Sequence, residues 1–553
     1  AKSIPVSAEM KALFGIDSDQ IAPSSLIAAL LRAEVDLLWF GGIGTFIKSA
    51  DESHADVGDR ANDPHRVDGR GVRAKVVGEG ANLGVTQRGR IELALAGGRI
   101  NTDFIDNSGG VDTSDHEVNI KILLNAAIDA GELTLKQRDG LLREMTDEVA
   151  QLVLAHNYLQ SGALSLTEAE APALLGRHAR FIRRLERAGQ LNRAIEYLPD
   201  DETIADREAA GIGLTRPELA VLLSYSKIVL YEELLGTELP DDPQLVDDLV
   251  LYFPPTLRER WREQIGQHRL RRELATTFVT NSIVDRAGIG FTDRLHERTG
   301  RSVGDAARAF SIAVAAFGLR DIWRAVEALD NRVPAEVQTD MLLSARGLLE
   351  HGTLWFLRHG EEPLDLADHC AAYRPGIERF CDSLPAEMFD AGDGPLAARR
   401  AALEGEGVPG ALARAVAALD ALYGAPDVVR LAAGCDIAVE AAAQGWFAVG
   451  RRFELDWLRA AAGRLHVRST WQQAAVETFV DDMFGHQATL ASRVLTDSGC
   501  EAGDAAAVAA WAERHAAAVA RYDRLLEEVR SAGTLEVAML MAVNGQLRVL
   551  STA

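Results

Sequence analysis

The chain has 553 residues, a formal net charge of -24 at pH 7, and hydrophobic and charged fractions of 47% and 25%. This length is too great for one hydrophobic core, so several domains are expected. The acidic balance argues against a nucleic-acid-binding protein, whose affinity depends on lysine and arginine contacts to phosphate, and favours an acidic globular enzyme.

Neither the cysteines nor the apolar segments indicate a disulfide framework, a metal site or a membrane span. The four cysteines, Cys370, Cys381, Cys435 and Cys500, show no CxxC spacing, which fits a reducing cytoplasm. The apolar runs are much shorter than a membrane-spanning helix, and the first residues do not form a signal peptide. Because the sequence starts without methionine, we expect a processed or excised fragment. We therefore expect a cytoplasmic protein with no metal and no membrane or nucleic acid partner.

Up to about residue 125 the sequence alternates helix and strand patterns. An apolar helix is predicted near residues 23–32, followed by a buried strand over 35–40 and a glycine-rich turn over 41–44. The polar stretch 49–73 has the composition of a surface excursion rather than of a helix or strand.

A second predicted strand over residues 74–77 leads into the turn GEGANLG at 78–84 and a helix over 86–96. A third short strand is predicted over 103–105, and the next helix is predicted to start at Ser114. Strands that alternate with helices indicate a parallel sheet. A doubly wound nucleotide-binding fold has about six strands, so the remaining strands are expected upstream of residue 1.

From about residue 126 onward the periodicity is helical, which predicts a large all-α region and a mostly α protein overall. Ser165-Leu-Thr-Glu168 and Thr215-Arg-Pro-Glu218 have the pattern of capping boxes at helix starts. A break is predicted at Pro385, and the glycine- and proline-rich stretch 391–410 is predicted to separate two helical subdomains.

The turn GEGANLG follows a strand and precedes a helix, so its backbone amides could approach a phosphate or ribose, Gly80 among them. Its GxGxxxG spacing is one residue longer than the dinucleotide fingerprint, and an ordinary strand–helix turn is the alternative. Asp103 and Asp106 stand at about the distance where a ribose-binding acid is expected.

A second group of candidate residues follows the predicted third strand. In Asn107-Ser-Gly-Gly-Val111 the asparagine offers donors and an acceptor suited to a carboxamide, and the glycines permit close backbone approach; a simple turn is the alternative. Ser114-Asp-His-Glu117 is predicted to cap the helix 115–127, where the hydroxyl could also meet an anionic substrate. His116 is expected to have a structural or solvated role.

With these residues the sequence closely resembles the large class of NAD-specific bacterial glutamate dehydrogenases. The resemblance rests on DLLWFGGIGTFIK (36–48), VGDRAND (57–63), VVGEGANLGVTQRGRIE (76–92), GGRINTDFIDNSGGVDTSDHEVNIKILL (97–124) and GLTRPELAVLLSYSK (213–227). It implies that residues 1–125 are the Rossmann-like C-terminal half of an NAD-binding catalytic domain. Residues 126–390 would then be a helical region and 391–553 a C-terminal helical subdomain.

More distantly, GEGAN and NSGGV resemble two turns of the smaller hexameric glutamate dehydrogenases. That resemblance implies that Asn82 and Asn107 lie by the nicotinamide half of NAD and that Ser114 meets the distal carboxylate of glutamate. It also implies that the turn 41–45 faces the cofactor. The cofactor-binding residues implied are Gly42, Gly80, Asn82, Asn107 and Gly109.

The reaction of the resembled family is the oxidation of L-glutamate by NAD and water to 2-oxoglutarate, ammonia and NADH. The family's catalytic lysine and aspartate are expected upstream of the matched motifs, and Lys48, Lys75 and Lys121 fit none of them. No catalytic residue is therefore assigned, and the chain alone is expected to be inactive.

With the upstream part of the same polypeptide, the chain would supply one wall of the cleft and a helical region for assembly into a tetramer or hexamer. The alternatives are a non-catalytic helical oligomerisation or regulatory module, and a dehydrogenase for another amino acid.

Overall fold

The computed structural model describes residues 2–384, 394–465, 470–499 and 504–552. The chain divides into two compact units, Ala1–Ala307 and Arg308–Ala553. The predicted division into 1–125, 126–390 and 391–553 is a different partition and stays a prediction. The predicted break at Pro385, residues 391–393 of the predicted boundary, and Cys500 lie outside the described residues.

The described strands all belong to the first unit and form three small sheets. They are β1 (Ile4–Pro5), β2 (Gln20–Ile21), β3 (Leu37–Phe40), β4 (Ile47–Lys48), β5 (Val67–Asp68), β6 (Val76–Glu79) and β7 (Arg99–Ile100). Strands β1 and β2 are antiparallel, β4 pairs with β5 in parallel, and β3, β6 and β7 form a parallel sheet in that order. The predicted parallel sheet of about three strands is confirmed.

The helices of the first unit follow and surround these strands. They are α1 (Ala8–Phe14), α2 (Pro23–Leu31), α3 (His54–Val57), α4 (Gln87–Leu95), α5 (Asp103–Asp106), α6 (Ser108–Asp129), α7 (Leu135–Glu144), α8 (Thr146–Ala169), α9 (Ala171–Arg187), α10 (Asp201–Ala210), α11 (Arg216–Leu235), α12 (Val246–Tyr252), α13 (Pro255–Arg258), α14 (Arg262–Gly266), α15 (Arg271–Ala287) and α16 (Phe291–Thr299). The predicted helices near 23–32 and 86–96 are confirmed as α2 and α4.

The three-stranded sheet has its own apolar core. Phe40 of β3, Val77 of β6 and Ile100 of β7 are buried together with Leu93, which α4 contributes as the crossover between β6 and β7. Thr86 begins α4, because its side chain accepts a hydrogen bond from the Gly89 amide. The crossover therefore starts directly after the turn that follows β6.

The predicted strand over 103–105 is wrong. The third strand ends at Ile100, and the residues after it form the short helix α5. Aspartate is unfavourable in strands and favourable in the first turn of a helix, and α5 carries Asp103 and Asp106 in that turn.

The prediction that residues 49–73 are only a surface excursion is also wrong. This stretch contains α3 and β5, and β5 pairs with β4. Arg66 is 6% exposed, and its guanidinium donates to the Thr45 carbonyl at 2.8 Å and to Asp63 at 2.5 Å. The polar composition of this stretch gives no sign of a buried strand. The strand is possible because the buried charge of Arg66 is satisfied by partners within and beside the stretch.

One predicted capping box is confirmed and the other is wrong. Glu218 accepts hydrogen bonds from both the backbone amide and the hydroxyl of Thr215, each at 2.7 Å, at the start of α11. Ser165 lies inside α8, where its hydroxyl donates to the Ser161 carbonyl at 3.2 Å. A serine within a helix commonly makes this bond to the preceding turn.

The described part of the second unit is helical. Its helices are α17 (Val303–Ala316, which contains the boundary), α18 (Leu319–Glu327), α19 (Ala335–His359), α20 (Leu366–Asp382), α21 (Pro395–Gly405), α22 (Gly410–Ala418), α23 (Ala425–Cys435), α24 (Val439–Arg452), α25 (Leu455–Gly463), α26 (Thr470–Asp497), α27 (Ala505–Arg514), α28 (Ala516–Ser531) and α29 (Val537–Thr552). The predicted mostly α character is confirmed. Among the described helices, none is long and apolar enough to cross a membrane.

Candidate functional site

The turns after β3 and β6 lie at one edge of the parallel sheet. Because the two strands are parallel and in register from Leu37 with Val76 to Phe40 with Glu79, their carboxyl ends are neighbours. Open α/β sheets bind ligands at this edge. The predicted residues Gly42, Gly80 and Asn82 all follow these strand ends.

Two predicted asparagines meet at this edge. The side-chain amide of Asn107 donates to the Gly80 carbonyl at 2.9 Å and to Asn82 Oδ1 at 2.9 Å. These bonds tie the turn after β6 to the residue that precedes α6. The two motifs are therefore joined in the fold, although they are well separated in the sequence. We call Asn82 and Asn107 the asparagine pair.

Glycine is required at Gly78 and Gly80 because Trp39 lies over them. A Cβ atom at Gly80 would be 2.3 Å from Trp39 Cζ2, and one at Gly78 would be 2.5 Å from Trp39 Cε3. The tryptophan side chain is nevertheless 57% exposed. Around it the edge also exposes Ile43 and Leu83, so the surface beside the asparagine pair is largely apolar.

The other predicted glycines differ in their surroundings. Gly42 has open space where a side chain would lie. A Cβ at Gly109 would be 3.3 Å from Val153 Cγ1, so Gly109 faces α8 rather than the asparagine pair. A Cβ at Gly110 would be 2.7 Å from Asn107 Oδ1. Gly110 is thus the glycine that leaves room for the Asn107 side chain.

Two aspartates hold the turn in place. Asp103 Oδ2 accepts a hydrogen bond from the Leu83 amide at 2.8 Å, and Asp106 Oδ2 accepts one from the Glu79 amide at 2.8 Å. Leu83 has a φ of 64°, a left-handed conformation that costs energy for a residue with a side chain. The carboxylates considered as ribose-binding acids thus bind the backbone of the turn itself.

A buried ion pair that the sequence analysis missed lies beneath the turn. Glu79 is 0% and Arg90 is 5% exposed, and they are joined by bonds of 2.7 Å and 2.9 Å. Glu79 Oε1 also accepts from the Val85 amide at 3.0 Å. Burial raises the pKa of Glu79, and the Arg90 guanidinium opposes that shift. The only sequence signal for this pair is a charged residue at the end of an otherwise apolar strand.

Ser114 does not cap a helix, so the predicted helix start is wrong. Helix α6 begins at Ser108, and Ser114 is exposed within it with its hydroxyl 3.3 Å from the Gly110 carbonyl. Glycines are less costly near a helix start than in its interior, and Gly109 and Gly110 also permit close contacts there. The positive end of the helix is therefore at Asn107 rather than at Ser114.

Because α6 begins at Ser108, Asn107 is the N-cap residue of the helix that contains Ser114, and their relative positions follow from helix geometry. Seven residues are about two helical turns, so Ser114 lies on the same side of α6 as Asn107 and about 10 Å farther along the axis. Val111 and Val118 lie on this side as well and are 76% and 54% exposed. A continuous exposed face thus runs from the asparagine pair along α6.

The opposite side of α6 carries a polar cluster formed by the buried His116 and the half-buried Asp112 and His156, which we call the His116 cluster. His156 Nδ1 lies 2.9 Å from Asp112 Oδ2, and His116 Nε2 lies 3.7 Å from Asp112 Oδ1. The His116 ring is 0% exposed and stacks on Tyr252 with 4.4 Å between ring centroids. Burial lowers the pKa of His116. A structural role for His116 agrees with this position, and a solvated role does not.

The lysines at positions 48, 75 and 121 of the α/β segment are held in ion pairs, and Lys75 lies at the amino end of β6, away from the edge described above. Lys48 is buried and lies 2.5 Å from Asp68, and Lys75 lies 2.8 Å from Asp36. Lys121 pairs with a glutamate one turn away on α6. These lysines are therefore committed to neighbouring carboxylates.

The carboxyl edge of a parallel sheet is where α/β proteins bind their ligands, and this edge carries the asparagine pair. The chain belongs to the bacterial NAD-specific glutamate dehydrogenase family. The family model for the glutamate dehydrogenase C-terminal region matches residues 211–549, more than half of the chain. The model for the catalytic domain of bacterial NAD-glutamate dehydrogenase matches residues 1–167.

Three curated relatives are each named NAD-specific glutamate dehydrogenase. The protein from Halomonas elongata is 44% identical over 533 residues, which cover 96% of this chain and 33% of that protein. The Pseudomonas aeruginosa protein is 44% identical over 551 residues, which cover 99% of this chain and 34% of that protein. The Mycobacterium tuberculosis protein is 41% identical over 554 residues, which cover 99% of this chain and 34% of that protein. The chain thus spans about a third of the length of these relatives.

Proposed function

We propose that this chain supplies one wall of the cleft in which an NAD-dependent glutamate dehydrogenase oxidises L-glutamate to 2-oxoglutarate and ammonia. The observation that carries the proposal is the asparagine pair at the sheet edge, where Asn107 bonds to Gly80 and Asn82 at 2.9 Å each. The exposed face of α6 extends from it to Ser114. Family membership supports the same reaction class.

The proposed cofactor surface is the edge formed by the turns after β3 and β6. Its residues are Gly42, Gly80, Asn82 and Asn107, whereas Gly109, which the resemblance also implies, faces α8 and would contribute only through its backbone. NAD would accept the hydride when bound there. The asparagine side chains carry both donors and acceptors and therefore match a carboxamide. The open space at Gly42 and the exposed ring of Trp39 fit a flat ligand lying over the edge.

The proposed substrate contact is Ser114. Its hydroxyl is exposed and makes only a long bond, 3.3 Å, to the Gly110 carbonyl. A hydroxyl held so weakly can donate instead to a carboxylate, and hydrogen bonds to charged groups are the stronger ones. About two helical turns separate it from Asn107, which would let glutamate extend along α6 with its reacting end toward the asparagine pair.

The groups that transfer protons are proposed to lie outside this chain. Lys48, Lys75 and Lys121 are paired with carboxylates, and no other lysine lies in the matched motifs of the α/β segment. The exposed apolar residues Trp39 and Ile43 would be covered by another part of the polypeptide, which would also exclude water from the cleft. The helical second unit would serve assembly into a homo-oligomer.

The proposal is tested by steady-state kinetics of the natural-length protein with Ser114→Ala, with Thr113→Ala as its matched control. Thr113 is the neighbouring exposed hydroxyl on α6, and it donates to the Gly109 carbonyl at 2.6 Å. We expect Ser114→Ala to raise the KM for glutamate at least about tenfold with little change in the KM for NAD. Thr113→Ala should leave both values near the wild type.

The companion variant is Asn107→Ala, which should raise the KM for NAD more than that for glutamate. If Ser114→Ala behaves like Thr113→Ala and Asn107→Ala leaves cofactor use intact, the face of α6 is not the cleft wall. A third outcome is a low kcat/KM for glutamate in the wild type and in both variants, with a higher kcat/KM for an apolar amino acid in either variant. The chain would then belong to a dehydrogenase of other specificity.

A further inference from the structure

The His116 cluster lies on the side of α6 that faces α8, away from Ser114. Asp112 and His116 are one helical turn apart on α6, and His156 comes from α8. One ligand atom from each of the three residues lies within 4.8 Å of the others. The cluster plays no part in the reaction proposed above, so it needs a separate explanation.

The spacing of the three ligand atoms suits a small transition-metal ion. A tetrahedral zinc site with bonds of about 2.0–2.2 Å holds its ligand atoms about 3.3–3.6 Å apart. Asp112 Oδ1 and His116 Nε2 are 3.7 Å apart, and Asp112 Oδ2 and His156 Nδ1 are 2.9 Å apart. These two distances involve the two oxygens of Asp112, and the three ligand atoms lie within 4.8 Å of one another, which is close to the spacing that a zinc ion requires.

A second observation is that the His116 ring lacks hydrogen-bond partners. The side chain is 0% exposed, and both of its ring nitrogens are buried without a hydrogen bond to any described residue. Leaving a buried polar group unsatisfied costs about 1–3 kcal/mol. Asp112 Oδ1, at 3.7 Å, is too far to satisfy Nε2. A cation bound at Nε2, the nitrogen on the side of Asp112, would remove this cost for that nitrogen.

We propose that Asp112, His116 and His156 bind a first-row divalent transition ion, with Zn²⁺ as the best match. Two imidazoles and one carboxylate are typical zinc ligands, whereas Ca²⁺ and Mg²⁺ prefer oxygen ligands only. The side chains of Asp112 and His156 are 22% and 35% exposed. Water can therefore reach the fourth coordination position.

The ion would act as a clamp between α6 and α8. Asn157, the residue after His156, donates to the Ile105 carbonyl and to Ser108 Oγ, each at 2.8 Å. Helix α8 thus already holds the first residues of α6, close to Asn107. An ion one turn farther along would fix the direction of α6 as well, and with it the exposed face that carries Ser114.

Groups around the cluster would orient its ligands. Tyr252 stacks on His116 and donates its hydroxyl proton to Asp115 Oδ2 at 2.8 Å. Asn119 donates to the same hydroxyl oxygen at 3.0 Å. Residues beside a metal site commonly hold the ligand side chains in place in this way.

The test measures the metal content and Zn²⁺ affinity of the natural-length protein in wild-type form and as Asp112→Asn and His156→Gln. The matched control is His178→Gln, which removes a buried histidine on α9. We expect the wild type and the control to retain about one more ion per polypeptide than the two cluster variants. The variants should bind Zn²⁺ at least about tenfold more weakly.

Asp112→Asn keeps a side chain that can hydrogen-bond to His156, and both cluster variants leave the buried His116 in place. Circular dichroism of each variant shows whether a loss of metal accompanies unfolding. Cobalt substitution provides an independent reading, since Co²⁺ in a tetrahedral site absorbs strongly in the visible range. That absorption should be present in the wild type and lost in Asp112→Asn. Equal metal content in the wild type and both cluster variants, or a wild type without visible Co²⁺ absorption, would overturn the proposal.

Discussion

Glu79 has a strong influence on the turn after β6 because its carboxylate is buried and accepts bonds from Arg90 and from the Val85 amide. Removing one partner of a buried ion pair costs about 3–5 kcal/mol when the remaining charge is left uncompensated. Asp103 lies 3.3 Å from Arg90 and would compensate part of its charge, so the lower end of this range is expected. Glu79→Gln should therefore lower the free energy of unfolding of the first unit by that order, as measured by denaturant titration.

The control for this substitution is Glu34→Gln, because Glu34 is an exposed carboxylate of the same unit. It should change the free energy of unfolding by less than about 0.5 kcal/mol. Equal stability of the two variants would mean that the pair between Glu79 and Arg90 contributes nothing beyond a surface charge.

The buried His178 should cause part of the loss of stability of the first unit at acidic pH. Burial, with the Arg294 and Arg177 charges nearby, lowers the pKa of His178 from 6.5 to about 3. The unfolded chain therefore binds a proton below pH 6.5 that the folded chain does not bind until about pH 3. Stability is unaffected above pH 6.5 and falls as the pH drops from there toward 3, by about 2 kcal/mol at pH 5.

The measurement is the free energy of unfolding at pH 7 and pH 5 for the wild type and His178→Gln. The variant should lose less stability than the wild type over this interval, because glutamine does not titrate. Other buried histidines contribute equally to both proteins and cancel in the difference. Identical pH dependence of the two proteins would show that His178 is protonated in the folded state at ordinary pKa.

The sequence motifs singled out the two asparagines that the structure joins, but they did not predict how the turn is held. Asn82 and Asn107 could be selected because they stand in recognisable turns, and the structure joins them at 2.9 Å. Asp103 and Asp106 hold the turn by accepting hydrogen bonds from the backbone amides of Leu83 and Glu79, which lie in the turn and at the end of β6. Such long-range bonds leave no local pattern, so single-sequence reasoning could not find them.

Helix α6 is the element that the sequence analysis misjudged most. Glycines at 109 and 110 were interpreted as a turn, and Ser114 and Glu117 as a cap, yet the helix begins at Ser108. Local propensity disfavours glycine in a helix by about 1 kcal/mol. Tertiary contacts outweigh this cost here, because Gly110 accommodates the Asn107 side chain and Gly109 packs toward Val153.

The contact between Gly110 and Asn107 predicts the effect of Gly110→Ala. The added methyl would lie 2.7 Å from Asn107 Oδ1, so the asparagine must move and weaken its bonds to Gly80 and Asn82. We expect a KM for NAD raised by severalfold or more, as for Asn107→Ala, although alanine is the better helix former.

Gly162→Ala is the matched control, because Gly162 lies in α8 with open space around the added methyl. It should be neutral or slightly stabilising, by up to about 1 kcal/mol. The comparison is made by parallel kinetics and thermal unfolding. A Gly110→Ala variant with normal cofactor affinity would show that the position of Asn107 is not set by this contact.

For the whole molecule, periodicity predicted the mostly helical composition and the parallel order of the sheet well. The apolar runs before residue 100 and the helical pattern after 126 are strong, local signals. The partner of β4 was not predicted, because β5 lies in a polar stretch and its pairing is non-local. The His116 cluster was missed for the same reason, since its third ligand comes from another helix.

If the proton-transfer groups lie outside residues 1–553, the chain alone should be inactive. Lys48 and Lys75 of this chain are paired with carboxylates, and the chain spans about a third of the length of relatives named NAD-specific glutamate dehydrogenase. Residues 1–553 expressed alone should therefore form no NADH from glutamate and NAD, whereas the natural-length protein should form it readily.

Inactivity is informative only if the chain is folded, so the assay is paired with circular dichroism and thermal unfolding. A helical spectrum and a cooperative transition without NADH formation would support a cleft wall that lacks its proton-transfer groups. A folded chain that oxidises glutamate would instead place those groups within residues 1–553. The lysine ion pairs would then have to open during the reaction, and Lys48→Gln, Lys75→Gln and Lys121→Gln would identify which one does.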